Sequence, residues 1–246
     1  MKIIIPSSGR AQTIRTHKLL DKYLVCIPEN EFKAYKKIIP QKRLIIHPDS
    51  IKGLVRKRNW ILDNCMDDEA VVMIDDDITK IYNLSEIKAL DKDKATELIY
   101  NTYYTAKEMG VYLFGWSNYH DTGWYNEFKP FVICCGYING KAFGIRAGSS
   151  LRYDERFALK MDYDIALQNL FKYRMCFQNN IFGFAQEKTS RNRGGLSSIR
   201  TTIKEKEMID LLKKKYGDII QDKRLKATSR IRAKKIQIGV TIKMPF

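Results

Sequence analysis

The chain has 246 residues, 44 of them Lys or Arg and 28 Asp or Glu, for a formal net charge of +16 at pH 7. Hydrophobic residues make up 44% and aromatic ones 11%, enough to build a core, so disorder is excluded for most of the chain and the length admits at most two domains. The charge is lopsided: residues 1–187 carry 27 basic and 23 acidic side chains, residues 188–246 carry 17 and 5, which points to a polyanionic partner for the C-terminal quarter.

The first 80 residues read as alternating strand and helix. Lys2–Ile5 is a β-branched run stopped by Pro6-Ser7-Ser8-Gly9. A helix is expected over about Thr13–Asp21, a strand at Tyr23–Ile27, and a helix at Glu29–Ile39 with Asn30 as its cap. Arg43–Ile46 reads as a strand closed by His47-Pro48-Asp49, and Gly53–Cys65 as a helix. Ala70–Ile74 is a fully apolar strand that runs directly into Asp75-Asp76-Asp77. Continuous apolar strands separated by helices predict an α/β fold with a mostly parallel central sheet flanked by helices.

Beyond it, Ala95–Met109 reads as a helix, Tyr112–Phe114 and Phe131–Cys135 as strands, and Tyr137–Arg146 as a hairpin turning at Asn139-Gly140. Asp162–Tyr173 reads as a helix. Lys188–Arg200 is a Gly/Ser/Arg loop, and a basic helix (Thr202–Tyr216) with a basic tail ends the chain. These divide it into a core of residues 1–200 and a basic extension of residues 201–246. No run of 18 apolar residues provides a transmembrane segment, and Met1–Pro6 is too short for a signal-peptide core. Five cysteines without CxxC spacing predict reduced thiols in a cytoplasmic protein.

Two features carry chemistry. Three adjacent carboxylates at the carboxyl end of a buried strand repel one another, and no Lys or Arg lies within the four residues before them. A divalent cation, Mg²⁺ or Mn²⁺, is the simplest compensation. In an extended chain Asp75 and Asp77 point one way and Asp76 the other, so the first and third suit a metal that also holds a diphosphate. The loop Pro6-Ser7-Ser8-Gly9-Arg10 lacks both the GxGxxG and Walker patterns, but its amides and Arg10 suit a nucleotide.

The run Ile-Pro-Ser-Ser-Gly-Arg after the first strand, the helix beginning Gly53-Leu-Val-Arg-Lys-Arg-Asn-Trp, and Met73-Ile-Asp-Asp-Asp together resemble the GT-A fold glycosyltransferases. The similarity is greatest to the phage group associated with TET/base-J-type dioxygenases. The resemblance implies a nucleotide-sugar donor, a UDP-sugar such as UDP-glucose, bound through Mn²⁺ or Mg²⁺, and DNA carrying 5-hydroxymethylpyrimidines as the acceptor. It implies Asp75 and Asp77 as metal ligands. Pro6, Ser8, Arg10, Asp49, Arg58 and Asp76 fall at donor-contact positions. Lys160-Met-Asp-Tyr-Asp is similar to the Glu-Asp motif that opens the acceptor-side helix, with Met161 in place of the glutamate. Asp162 is then the expected catalytic base, and Asp164 the second choice. The C-terminal histidine that completes the metal shell in many relatives is missing, since His17, His47 and His120 all lie earlier.

A glycosyl transfer releases a diphosphate. Lys188, Arg191 or Arg193 on the glycine-rich loop could meet its growing charge, and Arg193 is the expected donor contact. Trp116, Tyr119, Trp124 and Tyr125 offer stacking surfaces for an extruded base. Lys213, Lys214, Lys215, Arg230, Arg232, Lys234 and Lys235 are the expected phosphate contacts. Two other classes stay open: a GT-A transferase acting on a polysaccharide, lipid or protein, and a basic nucleic-acid-binding module whose acidic triplet is structural. The oligomeric state is not legible.

Overall fold

The computed structural model describes residues 1–121, 123, 125–133, 137–186, 196, 199–222 and 240–242. The Arg193 loop position, Lys188, Arg191, Trp124, Arg230, Arg232, Lys234 and Lys235 lie outside these residues, as does the Gly194-Gly195 pair.

Strand β1 (Lys2–Pro6) lies parallel to β4 (Ala70–Ile74), with Ile3 opposite Val72 and Ile4 opposite Met73. Alternate residues of these strands serve two different cores, which is why the runs are continuously apolar. Ile4, Val71 and Met73 face one core, while Ile3, Ile5, Val72 and Ile74 face the other. Strands β2 (Leu24–Pro28) and β3 (Leu44–His47) extend this half in parallel. The other half comprises β5 (Ile78–Asn83), β6 (Lys88–Ala89), β7 (Leu113–Ser117), β8 (Phe131–Ile133), β9 (Ala142–Arg146) and β10 (Cys176–Gln186). The sheet order is β3-β2-β1-β4-β9-β7-β10-β5-β6, with β8 also pairing with β10. Strands β1 to β4, β7 and β10 run one way; β5, β8 and β9 run against them.

Helices cover both faces. On one side pack α2 (Leu54–Cys65), α4 (Met161–Tyr173) and α5 (Thr202–Tyr216), through Ile61 and Leu62, Ile165 and Leu167, and Met208 and Leu212. On the other lie the short α1 (Phe32–Tyr35) and α3 (Lys92–Glu108), through Tyr35, Leu98, Ile99 and Tyr103. Each such apolar side chain taken from water contributes about 1.5–3 kcal/mol, so α5 is bound to the sheet by its own core residues. A small ladder of β11 (Ile220–Asp222) and β12 (Val240–Ile242) follows it. No helix among the described residues is long and apolar enough to cross a membrane.

Several expectations are corrected. Over 13–21 only Thr16–Leu19 coils, as a 3-10 turn, because the backbone here is committed elsewhere: the Arg15 and Thr16 amides donate to the Asp76 carbonyl at 2.9 and 3.3 Å. The 29–39 helix shrinks to a 3-10 turn at Glu29–Glu31 and the four residues of α1, without an Asn30 side-chain cap; the approach to Pro40 disfavours helical backbone. The Asn139-Gly140 hairpin does not form. Neither residue has positive φ, which a type I′ turn requires, and β9 instead fills the gap between β4 and β7. Strands β5 and β10 were not anticipated.

Candidate active site

Strand β4 ends at Ile74, and the chain then turns through Asp76 and Asp77 into β5. The turn is fixed from beneath. Thr16 Oγ1 donates to the Asp75 carbonyl and accepts from the Ile78 amide at 3.0 Å, and the Asp75 amide donates to the Lys141 carbonyl at 2.8 Å. The three carboxylates diverge. Asp76 turns into the protein, where Ser7 Oγ donates to it and Arg10 Nη1 reaches it at 2.6 Å. Asp75 and Asp77 share one neighbour, the Gln186 amide, whose Nε2 lies 2.7 Å from Asp77 Oδ1 and 3.4 Å from Asp75 Oδ2. The same-side placement of the first and third aspartates is therefore realised in the side chains.

Arg10 comes from the loop after β1 and spans Asp76 and, at 3.3 Å, Asp77. Its backbone amide donates to the Tyr35 hydroxyl, which also pairs with Ser7 Oγ at 2.6 Å. Lys57, buried on α2, donates from Nζ to the Ser7 carbonyl at 2.6 Å, and burial lowers its pKa. Gly53, the residue before helix α2, has φ 88° and ψ 156°, a conformation that a Cβ would strain.

Arg58, next to Lys57 on α2, is 2% exposed. Its Nη2 donates to Asp75 Oδ1 at 3.0 Å and to the Gly140 carbonyl at 2.6 Å, and the guanidinium lies over the Phe143 and Tyr153 rings. A Cβ at Gly140 would lie 3.1 Å from Arg58 Nη1 and 3.3 Å from Asp162 Cβ, so a side chain there would press on both neighbours. Burial pushes the Asp75 carboxyl up to about 7, against the opposing pull of Arg58. Lys141, also buried, donates to the Asn118 carbonyl at 3.0 Å and is pushed down to about 8 by the same cause.

Next to Gly140, Tyr137 donates its hydroxyl to Asp162 Oδ2. Burial and the Asp162 charge hold this phenol well above its usual pKa, so it stays a donor. Asp162 Oδ1 accepts from the Tyr163 amide at 3.2 Å. One cavity of about 890 Å³ joins all of this, with Pro6, Ser8, Arg10, Asp49, Arg58, Asp75, Asp76, Asp77 and Asp162 on its walls. Ser8 Oγ donates to Glu31 at 2.7 Å, and Asp49 accepts from the Asn30 amide at 3.0 Å.

Other expected residues lie elsewhere. Asp164 is fully buried and does not line the cavity. Its carboxylate accepts from Lys215 Nζ and the Tyr216 hydroxyl, both at 2.6 Å, and from Gln168 at 2.7 Å. Asp164 thus joins α4 to α5, while Asp162 lines the cavity. Lys215 also reaches Asp154 at 2.9 Å, and Lys213 pairs with Asp222 at 2.9 Å, so two expected phosphate contacts are engaged within the protein; Lys214 is exposed. Trp116 is 1% exposed, with its indole N–H on Thr102 at 3.1 Å, and serves the core. Tyr119 is half exposed. Sequence reasoning missed Gln186, Lys141, Tyr137, Lys57 and Lys160, all of them cavity residues.

The described residues contain no cluster of three His, Cys, Asp or Glu side chains able to hold a metal ion. The donor set nevertheless fits a hard divalent cation. Asp75 and Asp77 present oxygens to one point, and the dipole of the Gln186 amide already supplies positive charge there. Burial, and the neighbouring Asp77 and Asp76 charges, raise the Asp75 pKa despite Arg58, so a cation there would favour its ionised form. The remaining ligands would have to come from water or from a bound diphosphate.

Among solved structures, the chain is similar to glucosyl-3-phosphoglycerate synthase from Mycobacterium tuberculosis, determined with Mg²⁺ and uridine diphosphate. The match has a TM-score of 0.50 and 12% identity, and covers 88% of this chain and 79% of that one; it shows the GT-A fold. No curated protein matches the sequence. Residues 1–195 match the TET-Associated Glycosyltransferase family, a span that holds every cavity residue from Pro6 to Gln186. The chain therefore belongs to the TET-associated glycosyltransferases and is a glycosyltransferase enzyme of GT-A fold.

Proposed function

We propose that this enzyme takes a sugar from a nucleotide-sugar donor, a UDP-sugar such as UDP-glucose, and transfers it to the hydroxymethyl group of 5-hydroxymethylpyrimidines in DNA. The observation that carries the reading is that one cavity holds Asp75, Asp77 and Asp162 on its walls, with Arg58 joining Asp75 to the Gly140 carbonyl. The uridine diphosphate of the structural neighbour supports the donor class. The family's association and the excess of basic residues after residue 187 support DNA.

Asp75 and Asp77 would hold Mg²⁺ or Mn²⁺, which neutralises the diphosphate as it leaves. Arg10 and Lys57 stand on the nucleotide side, where Ser7 and Tyr35 fix the loop. Asp162 takes the proton of the acceptor hydroxyl as its oxygen bonds to the anomeric carbon. The anomeric carbon–phosphate oxygen bond breaks and its electron pair leaves with the diphosphate. Tyr137 holds Asp162 Oδ2 throughout, directing the carboxylate at the acceptor.

The test is direct. The protein is incubated with labelled UDP-sugars, Mg²⁺ or Mn²⁺, and DNA containing hydroxymethylcytosine or hydroxymethyluracil, and the digested nucleosides are weighed by mass spectrometry. A sugar adduct supports the proposal. Donor binding without any nucleoside adduct points to a polysaccharide, lipid or protein acceptor, and DNA binding without donor binding points to a binding module.

The raised Asp75 pKa gives the metal a pH signature. A ligand that must lose a proton binds metal less well as pH falls, so cation affinity in the presence of UDP should weaken by about tenfold per unit below pH 7, with proton release on binding. Titration calorimetry in buffers of different ionisation enthalpy measures both. Asp77→Ala should abolish the cation-dependent part of UDP binding; affinity that is flat from pH 5.5 to 7.5 would exclude Asp75 as a ligand.

A further inference from the structure

Helix α4 starts under strain. Lys160, the residue before it, has φ 63° and ψ 13°, a left-handed conformation that costs a residue with a Cβ roughly 1–2 kcal/mol. Such strain persists only where the surroundings fix it. Here they do: Lys160 Nζ lies 2.7 Å from Glu205 Oε2, with the two side chains 4% and 0% exposed, and Arg200 Nη1 lies 3.2 Å from Glu205 Oε1. Glu205 stands on the first turn of α5, whose Thr201 side chain caps the helix by accepting from the Lys204 amide. The last turn of α5 grips α4 a second time, through Lys215 and Tyr216 on Asp164. Asp162 lies between the two grips, on the turn whose carbonyl anchor is Lys160: the Tyr163 and Asp164 amides both donate to the Lys160 carbonyl, at 3.0 and 3.2 Å.

We infer that α5 is a clamp that aims Asp162, with Glu205 as a positioning residue acting through Lys160. The family match ends at residue 195 and α5 begins at Thr202, so the segment beyond the matched region completes the acceptor side of the site. The clamp explains the burial of Glu205, which a surface helix would not need, and the placement of a lysine where glycine would be relaxed. The inference rests on the proposed role of Asp162.

The full-length chain is compared with Glu205→Gln, Lys160→Gly/Glu205→Gln, Tyr216→Phe and Asp162→Asn. Transfer from UDP-glucose to hydroxymethylcytosine DNA is measured together with the ¹⁹F resonance of 3-fluorotyrosine placed at position 137, which reports the bond to Asp162. Glu205→Gln should lower kcat by about 100-fold, the scale of a misplacement of about 1 Å, with donor KM unchanged and the resonance shifted. Glycine accepts the left-handed backbone without a clamp, so the double variant should recover most of both signals. An unchanged kcat and resonance in Glu205→Gln, a raised donor KM at constant kcat, or no recovery in the double variant each overturns the clamp. If Glu205→Gln loses its circular dichroism, Tyr216→Phe decides: a smaller fall in kcat at constant KM supports the clamp, and parental kcat overturns it. Full activity in Asp162→Asn refutes that residue as base, while a shifted resonance in Glu205→Gln still establishes the clamp.

Discussion

Asp162→Asn should bind UDP-sugar as the parent does and transfer it about 10²–10⁴ times more slowly, the usual contribution of a positioned base. The amide keeps the shape: its one oxygen can accept from the Tyr163 amide while its NH2 donates to the Tyr137 hydroxyl oxygen, reversing that bond, so the fold and the donor half should be retained. What is lost is the capacity to take a proton from the acceptor hydroxyl. Steady-state kinetics at saturating donor measure the fall in kcat, and calorimetry with UDP measures the retained binding. Turnover within a few-fold of the parent would move the base elsewhere. Asp164 would not inherit the role, because Lys215, Tyr216 and Gln168 occupy its oxygens away from the cavity.

Arg58→Met should cost both stability and activity. The guanidinium is almost wholly buried and is the ion-pair partner of Asp75, and removing one member of a buried pair typically costs about 3–5 kcal/mol because the other charge is stranded. Asp75 has an escape. Burial already pushes its carboxyl up to about 7 with Arg58 present, and without that cation it should rise further. Its folded-state pKa is above the unfolded value, so stability is lost as pH climbs from the acid range through that pKa. The defect of Arg58→Met is therefore expected to be small at pH 5.5 and to grow toward pH 8, as read from urea midpoints at the two pH values. A destabilisation independent of pH would mean that packing on Phe143 and Tyr153, and not charge, is what Arg58 supplies. Transfer should fall as well, since the same nitrogen ties Asp75 to Gly140, and Gly140 packs on Asp162.

The parts of this site that were legible in the sequence are those written in consecutive residues. Val71-Val72-Met73-Ile74 had to be a buried strand, and three carboxylates after it had to stand at the sheet's carboxyl edge. Arg58 is reached only through the family resemblance, since its spacing alone does not tie it to the aspartates. Gln186 was out of reach: it ends an eleven-residue strand whose middle reads Gln178-Asn179-Asn180, polar enough to hide the apolar alternation around it, and it meets the aspartates only through long-range pairing with β5. The helix expected over 13–21 failed for a reason tied to the site, since its amides and Thr16 hydroxyl brace the acidic turn. Lys160 and Glu205 form a pair that no spacing rule connects.

The internal pairing of Lys213 and Lys215 bears on the salt dependence expected with the proposed DNA acceptor. A lysine already neutralised by Asp222, or by Asp154 and Asp164, displaces no condensed counterion when a duplex arrives. Each phosphate contact contributes about −0.9 to the slope of log affinity against log salt, so the two lysines withdrawn make that slope shallower by about 2 than a count of basic residues suggests. With DNA as the proposed acceptor, the same net charge would then yield a grip that weakens less as ionic strength rises.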